Sequence, residues 1–337
     1  MSRRYYILDL SRVVAAVAVV LWHWQHFAFI GTARPHEYDR GSQPLYSILQ
    51  IFYDKGSMGV EYFFLLSGFV IFWLYKKPVE ARRINFTKYS VQRLSRLYPL
   101  HIFTLLLVAL LQGIYVSRTG DAFVYPFNDT YHFLLNVGFA SRWGFEDGPS
   151  FNGPVWAVSI QILLYTAFFI VAYGRWGNPV VCISLCALFA ALFQYLHPAL
   201  FKALSLFFLG GIVFYVSRAI SNRSRTIKQI IFISTALLWI ITVVDIYLLN
   251  VGMFITSQEK YGILFLKVYP YYILFPLTLC SLVLVEIDRG PFSKPISWIG
   301  DMTYSMYLLH FPLQLAFALA VSYGLLKAEF YLSQIQR

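Results

Sequence analysis

The sequence has few charged residues, and acids are scarcer than bases. Only 13% of the 337 residues are charged, with 16 Asp and Glu against 27 Lys and Arg, whereas 58% are hydrophobic. The mean hydropathy of +0.61 lies outside the range of soluble domains. The net charge of +11 resembles that of a nucleic-acid binder, but the basic residues cluster in short loops between apolar runs, as in membrane proteins. We therefore predict a polytopic membrane protein without a nucleic-acid partner.

Cysteine is scarce as well. Cys182, Cys186 and Cys280 lie in apolar segments and show no CxxC or Cys/His spacing. The sequence therefore indicates neither a disulfide framework nor a zinc site, and we predict no metal cofactor. Signal-peptide features are also lacking, because the apolar run after Arg3 and Arg4 is too long and no convincing small-residue cleavage site follows. We expect the first helix to remain attached.

Long apolar runs are what the chain has in quantity. Windows near 20 residues predict nine spans, at 7–29, 58–75, 98–117, 152–173, 178–196, 201–217, 229–249, 262–285 and 298–322. The predicted fold is all-α, a polytopic integral membrane helical bundle of about 9–10 transmembrane helices around a central polar cavity. Residues 1–325 form the predicted membrane domain and 326–337 a short amphipathic tail, which either ends the protein or precedes a last helix beyond the given sequence.

The connecting segments predict an orientation. Basic residues crowd the second connection, between Lys76 and Arg96, and the sixth, between Arg218 and Lys228. The positive-inside rule places both connections, and the amino terminus, in the cytoplasm. The long connections 30–57 and 118–151 then face outward, and residues 131–140 are predicted to be interfacial or re-entrant because they are too short to span.

The first span carries ionisable residues, which are costly in a bilayer. On a continuous helix, the eleven positions from Arg12 to His23 make three turns plus about 20°, so both side chains leave one face about 16 Å apart and could line one path. The alternative is a local i,i+3 pair of Asp9 with Arg12 near the headgroups, and a structural His23 bonded to a neighbouring helix.

The second span combines glycines with polar residues. Gly56, Gly59 and Gly68 allow helices to approach closely. Glu61 is predicted at the depth of His23, where it could orient that imidazole or bind acceptor hydroxyls. Ser67 lies deeper. We interpret it as an interhelical hydrogen-bonding residue rather than a nucleophile, since no GxSxG elbow surrounds it.

Two arginines mark the predicted cytoplasmic entrance of the third span. Arg93 and Arg96 are one helical turn apart, and guanidinium groups bind phosphoryl oxygens bidentately, so the pair could clamp a phosphate. Membrane topology or lipid-headgroup binding explains such a pair equally well. Tyr98 and Pro99 are predicted to end this turn.

The fourth and last spans carry polar stripes. An aromatic belt accounts for Trp156, whereas the deeper Gln161 amide needs hydrogen-bond partners. In the last span, polar residues follow i, i+4, i+7 and i+11 on one face, which predicts a lumen or a packed polar interior; they are Thr303, Tyr307, His310 and Gln314.

Together these motifs resemble the membrane-bound acyltransferase 3 family. Its opening D-x-x-R-x10-H helix matches Asp9, Arg12 and His23. Its FF-x-x-SGF helix, R-x-x-R-x-Y-P turn and closing S-Y-x-x-H-like pattern match Phe63, Phe64, Ser67, Gly68, Phe69, Arg93, Arg96, Tyr98, Pro99, Tyr304, Ser305, Tyr307 and His310. The matches follow the family's order over nearly the whole chain.

The resemblance implies transfer of an acyl group, commonly acetyl from acetyl-CoA, to a hydroxyl of a carbohydrate or lipid-linked glycan at the bacterial inner membrane. It also implies that Arg12 and His23 are required and that the R-x-x-R turn binds CoA. The chain departs from the family in two ways. Gln161 stands where a Glu usually follows Trp156, so an acid role is not carried over. The apolar runs of the given sequence also predict no counterpart of the family's tenth helix.

These observations give one set of expected site residues. We expect His23 to act as general base with Asp9 and Arg12 as catalytic partners. Acyl-CoA is expected to bind Arg12, Arg93, Arg96 and Tyr98. Acceptor contacts are expected from Glu61, Ser67, Trp156, Gln161, Tyr307 and His310. Membrane lipids surround the bundle. The alternatives are a transporter or flippase of a lipid-linked sugar, which inverted repeats would favour, and an inactive glycan-binding relative.

Overall fold

The computed structural model describes residues 5–34, 38–193, 195–249, 268–290 and 297–326. These ranges contain twelve α-helices and no β-strand, which confirms the predicted all-α class. The helices are α1 (Tyr6–Trp22), α2 (Tyr46–Lys55), α3 (Met58–Glu80), α4 (Phe86–Thr119), α5 (Thr130–Val137), α6 (Trp156–Tyr173), α7 (Pro179–Leu192), α8 (Pro198–Ser221), α9 (Arg225–Val244), α10 (Phe275–Arg289), α11 (Ser297–Asp301) and α12 (Thr303–Ser322).

Eight helical segments within the described ranges are long and apolar enough to cross a membrane. The predicted fifth span, 178–196, is not among them, because α7 has only 14 residues. At 1.5 Å per residue α7 is about 21 Å long, against a hydrocarbon thickness of about 30 Å. The first part of the predicted span 262–285 and nearly all of the predicted tail 326–337 lie outside the described residues.

Polar side chains define several helix starts. Asn178 accepts a hydrogen bond from the Val181 N–H, and Pro179 occupies the first position of α7, where its missing N–H costs nothing. At α1 the cap comes from far along the chain: the buried Glu286 carboxylate accepts from the N–H groups of Tyr6 and Ile7, at 2.8 and 2.7 Å. A carboxylate at this end is also favoured by the helix dipole.

The predicted first span, 7–29, is confirmed as one apolar helical segment over Tyr6–Ala28. It is not one continuous α-helix, because α1 ends at Trp22 and a 3-10 helix follows over His23–Ala28. The turn carrying Arg93 does not end at Pro99, because α4 runs through that proline. A proline removes one backbone hydrogen bond and bends a helix without necessarily ending it, when packing holds both sides.

The chain divides into two compact units, and the first contains residues 1–15, 57–85 and 164–301. In this unit α8 packs against α3, α7 and α10. A Cβ atom at Gly68 would collide with the carbonyl oxygen of Phe207, and one at Gly210 with that of Leu65. The close approach predicted for Gly68 is therefore confirmed, with α8 as the partner helix.

The second unit contains residues 16–56, 86–163 and 302–337. Within its described part, α12 packs along α4 and also contacts the 3-10 helices His23–Ala28 and Gly153–Val155. A buried apolar cluster joins these elements and includes Leu105, Val108, Phe123, Phe311 and Leu315. The unit therefore brings the end of the first span against the last described helix.

The close contact between α3 and α8 predicts that a larger residue at Gly68 lowers the stability of the protein. Gly68→Ala forces backbone separation, and we expect it to cost about 2 kcal/mol, the usual scale of overpacking. Thermal unfolding in detergent, followed by size-exclusion chromatography, should show a lower midpoint. Gly113→Ala is the matched control, because no atom lies within 4 Å of a Cβ built at Gly113. Equal midpoints for the two variants would contradict the crossing.

Candidate active site

His23 opens the 3-10 helix at the end of the first span and is buried. Its Nδ1 lies 2.9 Å from the carbonyl oxygen of Val19. A carbonyl oxygen can only accept, so Nδ1 carries the proton and donates, and in the neutral ring Nε2 carries the lone pair. The tautomer of His23 is therefore the one that a base acting through Nε2 requires.

Gln314 of α12 fixes the neighbouring imidazole. His26 Nδ1 donates to Gln314 Oε1 at 3.0 Å, and Gln314 Nε2 donates to the carbonyl oxygen of His23 at 3.0 Å. The amide orientation follows from this network, since only Nε2 can donate to a carbonyl. One buried side chain thus holds two positions of the 3-10 helix and sets the tautomer of His26.

His310 completes a cluster of three imidazoles. Its ring centroid lies 4.8 Å from that of His23, and the centroids of His23 and His26 are 4.9 Å apart. His310 Nδ1 donates to the Tyr307 carbonyl at 2.7 Å, while its buried Nε2 has no hydrogen-bond partner among the described residues. All three neutral rings therefore present Nε2 as a hydrogen-bond acceptor.

The cluster is lined by aromatic rings. The rings of Tyr125 and Phe311 lie 5.7 and 5.8 Å from that of His26, centroid to centroid. Burial raises the pKa of the Tyr125 phenol above its ordinary value, so this hydroxyl stays protonated. In such surroundings a hydrogen bond to an imidazole is stronger than in water.

A proline in α12 explains how the start of α6 is attached. Pro312 has no N–H, so the carbonyl of Leu308, four residues earlier, loses its helical donor. Asn152 Nδ2 supplies a donor instead, at 2.9 Å from the Leu308 oxygen. The Tyr307 hydroxyl adds a hydrogen bond to the Pro154 carbonyl. The predicted site residue Tyr307 is therefore a structural anchor beside His310.

The arginine pair lies on α4 in the same unit. Arg93 is half-buried, whereas Arg96 and Tyr98 are exposed. Between them, the Leu97 carbonyl accepts from the Tyr304 hydroxyl of α12 at 2.7 Å. His310 follows Tyr304 by six residues, which is about 9 Å along the helix axis. α12 therefore connects the predicted phosphate clamp to the imidazole cluster.

Two further predicted residues lie on α6. Trp156 begins the helix and is half-buried, and Gln161 is half-buried one and a half turns later. The Gln161 Nε2 atom is itself buried and has no hydrogen-bond partner among the described residues. A partner for this Nε2 donor is thus not supplied by the described residues.

The remaining predicted residues belong to the first unit. Arg12 pairs with the buried Asp9 at 2.8 Å, as the local i,i+3 interpretation expected. Glu61 is ion-paired with Lys202 at 2.7 Å, a partner that the sequence pattern did not indicate. Ser67 is half-buried on α3. The part of these residues in catalysis or acceptor binding stays a prediction.

Sequence reasoning did not assign His26 and Gln314 to the site. A signal existed for both, because His26 follows His23 by three residues and Gln314 belongs to the polar stripe of the last span.

Among the described residues no group of three or more His, Cys, Asp and Glu side chains is arranged to hold a metal ion.

The spanning helices and the buried imidazole cluster define a multi-pass membrane protein with a polar site inside its helices. The sequence model of the acyltransferase 3 family, described as an acyltransferase domain, matches residues 5–331. The chain belongs to this family and is a membrane acyltransferase. Searches of the curated proteins and of the solved structures gave no significant match.

The Gln314 bridge makes a testable prediction. Gln314→Met keeps the side-chain length but leaves the His23 carbonyl and His26 Nδ1 without their partner, which should cost about 2 kcal/mol. The thermal midpoint of the purified protein should fall. Leu313→Met, at an exposed neighbouring position, is the control and should leave the midpoint unchanged. A midpoint for Gln314→Met equal to that of the control would show that the bridge contributes little.

Proposed function

We propose that the protein transfers an acyl group, acetyl in the simplest case, from cytoplasmic acetyl-CoA to a hydroxyl of a carbohydrate or lipid-linked glycan on the outer side of the inner membrane. His23 acts as the general base. The observation that carries the proposal is the His23–Val19 hydrogen bond, which leaves Nε2 as the acceptor within a buried imidazole cluster. The amino terminus is cytoplasmic in this proposal.

The chemical step is a direct acyl transfer. His23 Nε2 takes the proton of the acceptor hydroxyl, whose oxygen attacks the thioester carbonyl carbon. The tetrahedral intermediate collapses, the carbon–sulfur bond breaks, and the CoA thiolate leaves. The imidazolium returns its proton to the thiolate, which restores neutral His23. An acyl-histidine intermediate is the less favoured variant.

The donor end of the site is assigned to α4. Arg93 and Arg96 provide guanidinium groups that match phosphoryl oxygens, and Tyr98 of the same helix belongs to this assignment. Arg12 keeps its donor role as a prediction from the sequence. The Tyr304–Leu97 hydrogen bond supports this placement, because it ties the arginine turn to the helix that carries His310. A pantetheine arm is long enough to cover the intervening part of α12, about 9 Å.

The acceptor is assigned to polar atoms around His310. The unpartnered His310 Nε2 and Asn152 Oδ1 atoms are buried acceptors in the described structure, and each is suited to a sugar hydroxyl. Trp156 and Gln161 of α6, with Tyr307, belong to the proposed acceptor contacts. Glu61 and Ser67 keep the same assignment as predictions from the sequence.

The general base is tested by replacing His23. His23→Ala should lower acyl transfer by at least about 100-fold, the lower end of general-base contributions, with the protein still inserted and monodisperse. The assay follows labelled acyl groups from acyl-CoA into glycan. His197→Ala is the control, because this histidine caps α8 outside the cluster. Retained product formation would remove the proposed base, and acceptor movement without acylation would favour a transporter.

The donor assignment is tested on α4. Arg93→Ala and Arg96→Ala should each raise the KM for acyl-CoA by about 10-fold, as expected for loss of one charged contact, with a smaller change in kcat. Arg118→Ala is the matched control, since Arg118 is exposed at the other end of the same helix. An unchanged KM in both variants would place the donor phosphates elsewhere.

A further inference from the structure

A basic groove lies where α3 and α6 end, within the first unit. It is a cavity of about 610 Å³, lined by Lys77, Pro78, Glu80, Ala81, Arg83 and Arg175. This volume falls within the range of small-molecule pockets, about 300–1,000 Å³. Neither the expected site residues nor the imidazole cluster includes any of these side chains. We call it the α3–α6 groove.

Three positive charges in the groove are uncompensated. Lys77, Arg83 and Arg175 are exposed and make no ion pair with the residues that the structure describes. The only acid that lines the groove, Glu80, already accepts from Lys76 at 2.8 Å. The cavity therefore carries a concentrated positive charge.

Two helix ends of the same geometry build the groove. The Arg83 N–H donates to the Pro78 carbonyl, and the Trp176 N–H donates to the Val171 carbonyl, each at 2.9 Å. These six-to-one bonds are typical of Schellman motifs, whose left-handed position usually holds glycine. Here that position holds an arginine, Arg82 with φ 58° and Arg175 with φ 61°. A side chain has a backbone cost there, and of these two arginines Arg175 lines the groove.

The α6 turn is fixed onto its neighbours. The Tyr215 hydroxyl of α8 donates to the Gly177 carbonyl. A Cβ at Gly177 would lie 3.5 Å from the Glu80 carboxylate, so the turn rests directly on α3. On the other side, the Arg82 guanidinium stacks 3.2 Å from the Tyr173 ring centroid. The groove is therefore held in shape by the protein itself.

We propose that the α3–α6 groove binds a phosphoryl-bearing anion on the predicted cytoplasmic side. Guanidinium forks and a lysine point charge are the usual partners of phosphoryl oxygens. Membrane topology and helix dipoles favour basic residues at such ends, but neither requires three unpaired cations to line one cavity. Two sources carry this chemistry: an anionic lipid headgroup and the nucleotide end of CoA.

The test uses the full chain in nanodiscs and the double variant Arg83→Gln/Arg175→Gly. The glycine removes a charge and also relieves the left-handed backbone, so impaired folding is not expected from it. Arg223→Gln is the matched control, an exposed cation after α8 outside the groove. One arm adds CoA to phosphatidylcholine discs, and the other replaces part of the phosphatidylcholine with phosphatidylglycerol. The readout is the shift in thermal midpoint and its dependence on ligand concentration.

CoA or phosphatidylglycerol should raise the thermal midpoint of the parent protein and of Arg223→Gln. The apparent affinity for that ligand should be at least about 10-fold weaker in the double variant. Loss confined to the CoA arm assigns the nucleotide, and loss confined to the phosphatidylglycerol arm assigns the headgroup. The proposal is overturned when neither CoA nor phosphatidylglycerol shifts the thermal midpoint of the parent, or when the double variant responds like the parent. It is also overturned when Arg223→Gln weakens the apparent affinity as much as the double variant does, because the effect then comes from the general surface charge. Because activity is not measured, these results are independent of the His23 assay.

Discussion

The amide of Gln314 is the interaction on which the site depends. It supplies both an acceptor for His26 and a donor for the His23 carbonyl, and it thereby joins segments 291 and 288 residues apart in the sequence. Inside a membrane protein a polar group without a partner is costly. A shift of α12 against the 3-10 helix would break both hydrogen bonds and separate the four groups that form them. The spacing of the imidazoles, and the tautomer of His26, follow from this single bridge.

In α12, a proline frees a backbone carbonyl that then accepts a hydrogen bond from another segment. Pro312 deprives Leu308 of its helical hydrogen bond, and Asn152 fills the vacant acceptor from the start of α6. Tyr304 and Tyr307 add hydrogen bonds to the Leu97 and Pro154 carbonyls. These contacts attach α12 to α4 and to residues 152–154, just before α6. The helix that carries His310 is therefore attached to its neighbours by hydrogen bonds in the turns just before that residue.

The sequence predicted the all-α class and most spans, because a bilayer demands about 20 apolar residues whose backbone bonds close within the segment. It did not predict the 3-10 helix at His23 or the continuation of α4 through Pro99, since both depend on packing from distant segments. For the site, the polar stripe named Tyr307 and His310, which are both buried, with the His310 ring beside that of His23, and their part in acceptor binding stays a prediction. The roles of His26 and Gln314 were missed because periodicity defines a face but not the partner across it. For Arg12, Glu61 and Gln161, the sequence suggests roles that geometry alone does not test.

Three unpaired polar atoms in the second unit indicate which ligand groups the site can bind. His310 Nε2 and Asn152 Oδ1 are buried acceptors, and Gln161 Nε2 is a buried donor, all without partners among the described residues. Each such atom costs about 1–3 kcal/mol when nothing bonds to it. Unpaired buried polar atoms are expected where a bound ligand supplies the missing hydrogen bonds. A hydroxyl group both donates and accepts hydrogen bonds, so it can pair with any of the three atoms, whereas an acyl carbonyl can only accept and can pair only with Gln161 Nε2. The two buried acceptors, His310 Nε2 and Asn152 Oδ1, can therefore be satisfied by a ligand that carries O–H or N–H donors and not by the acyl carbonyl itself.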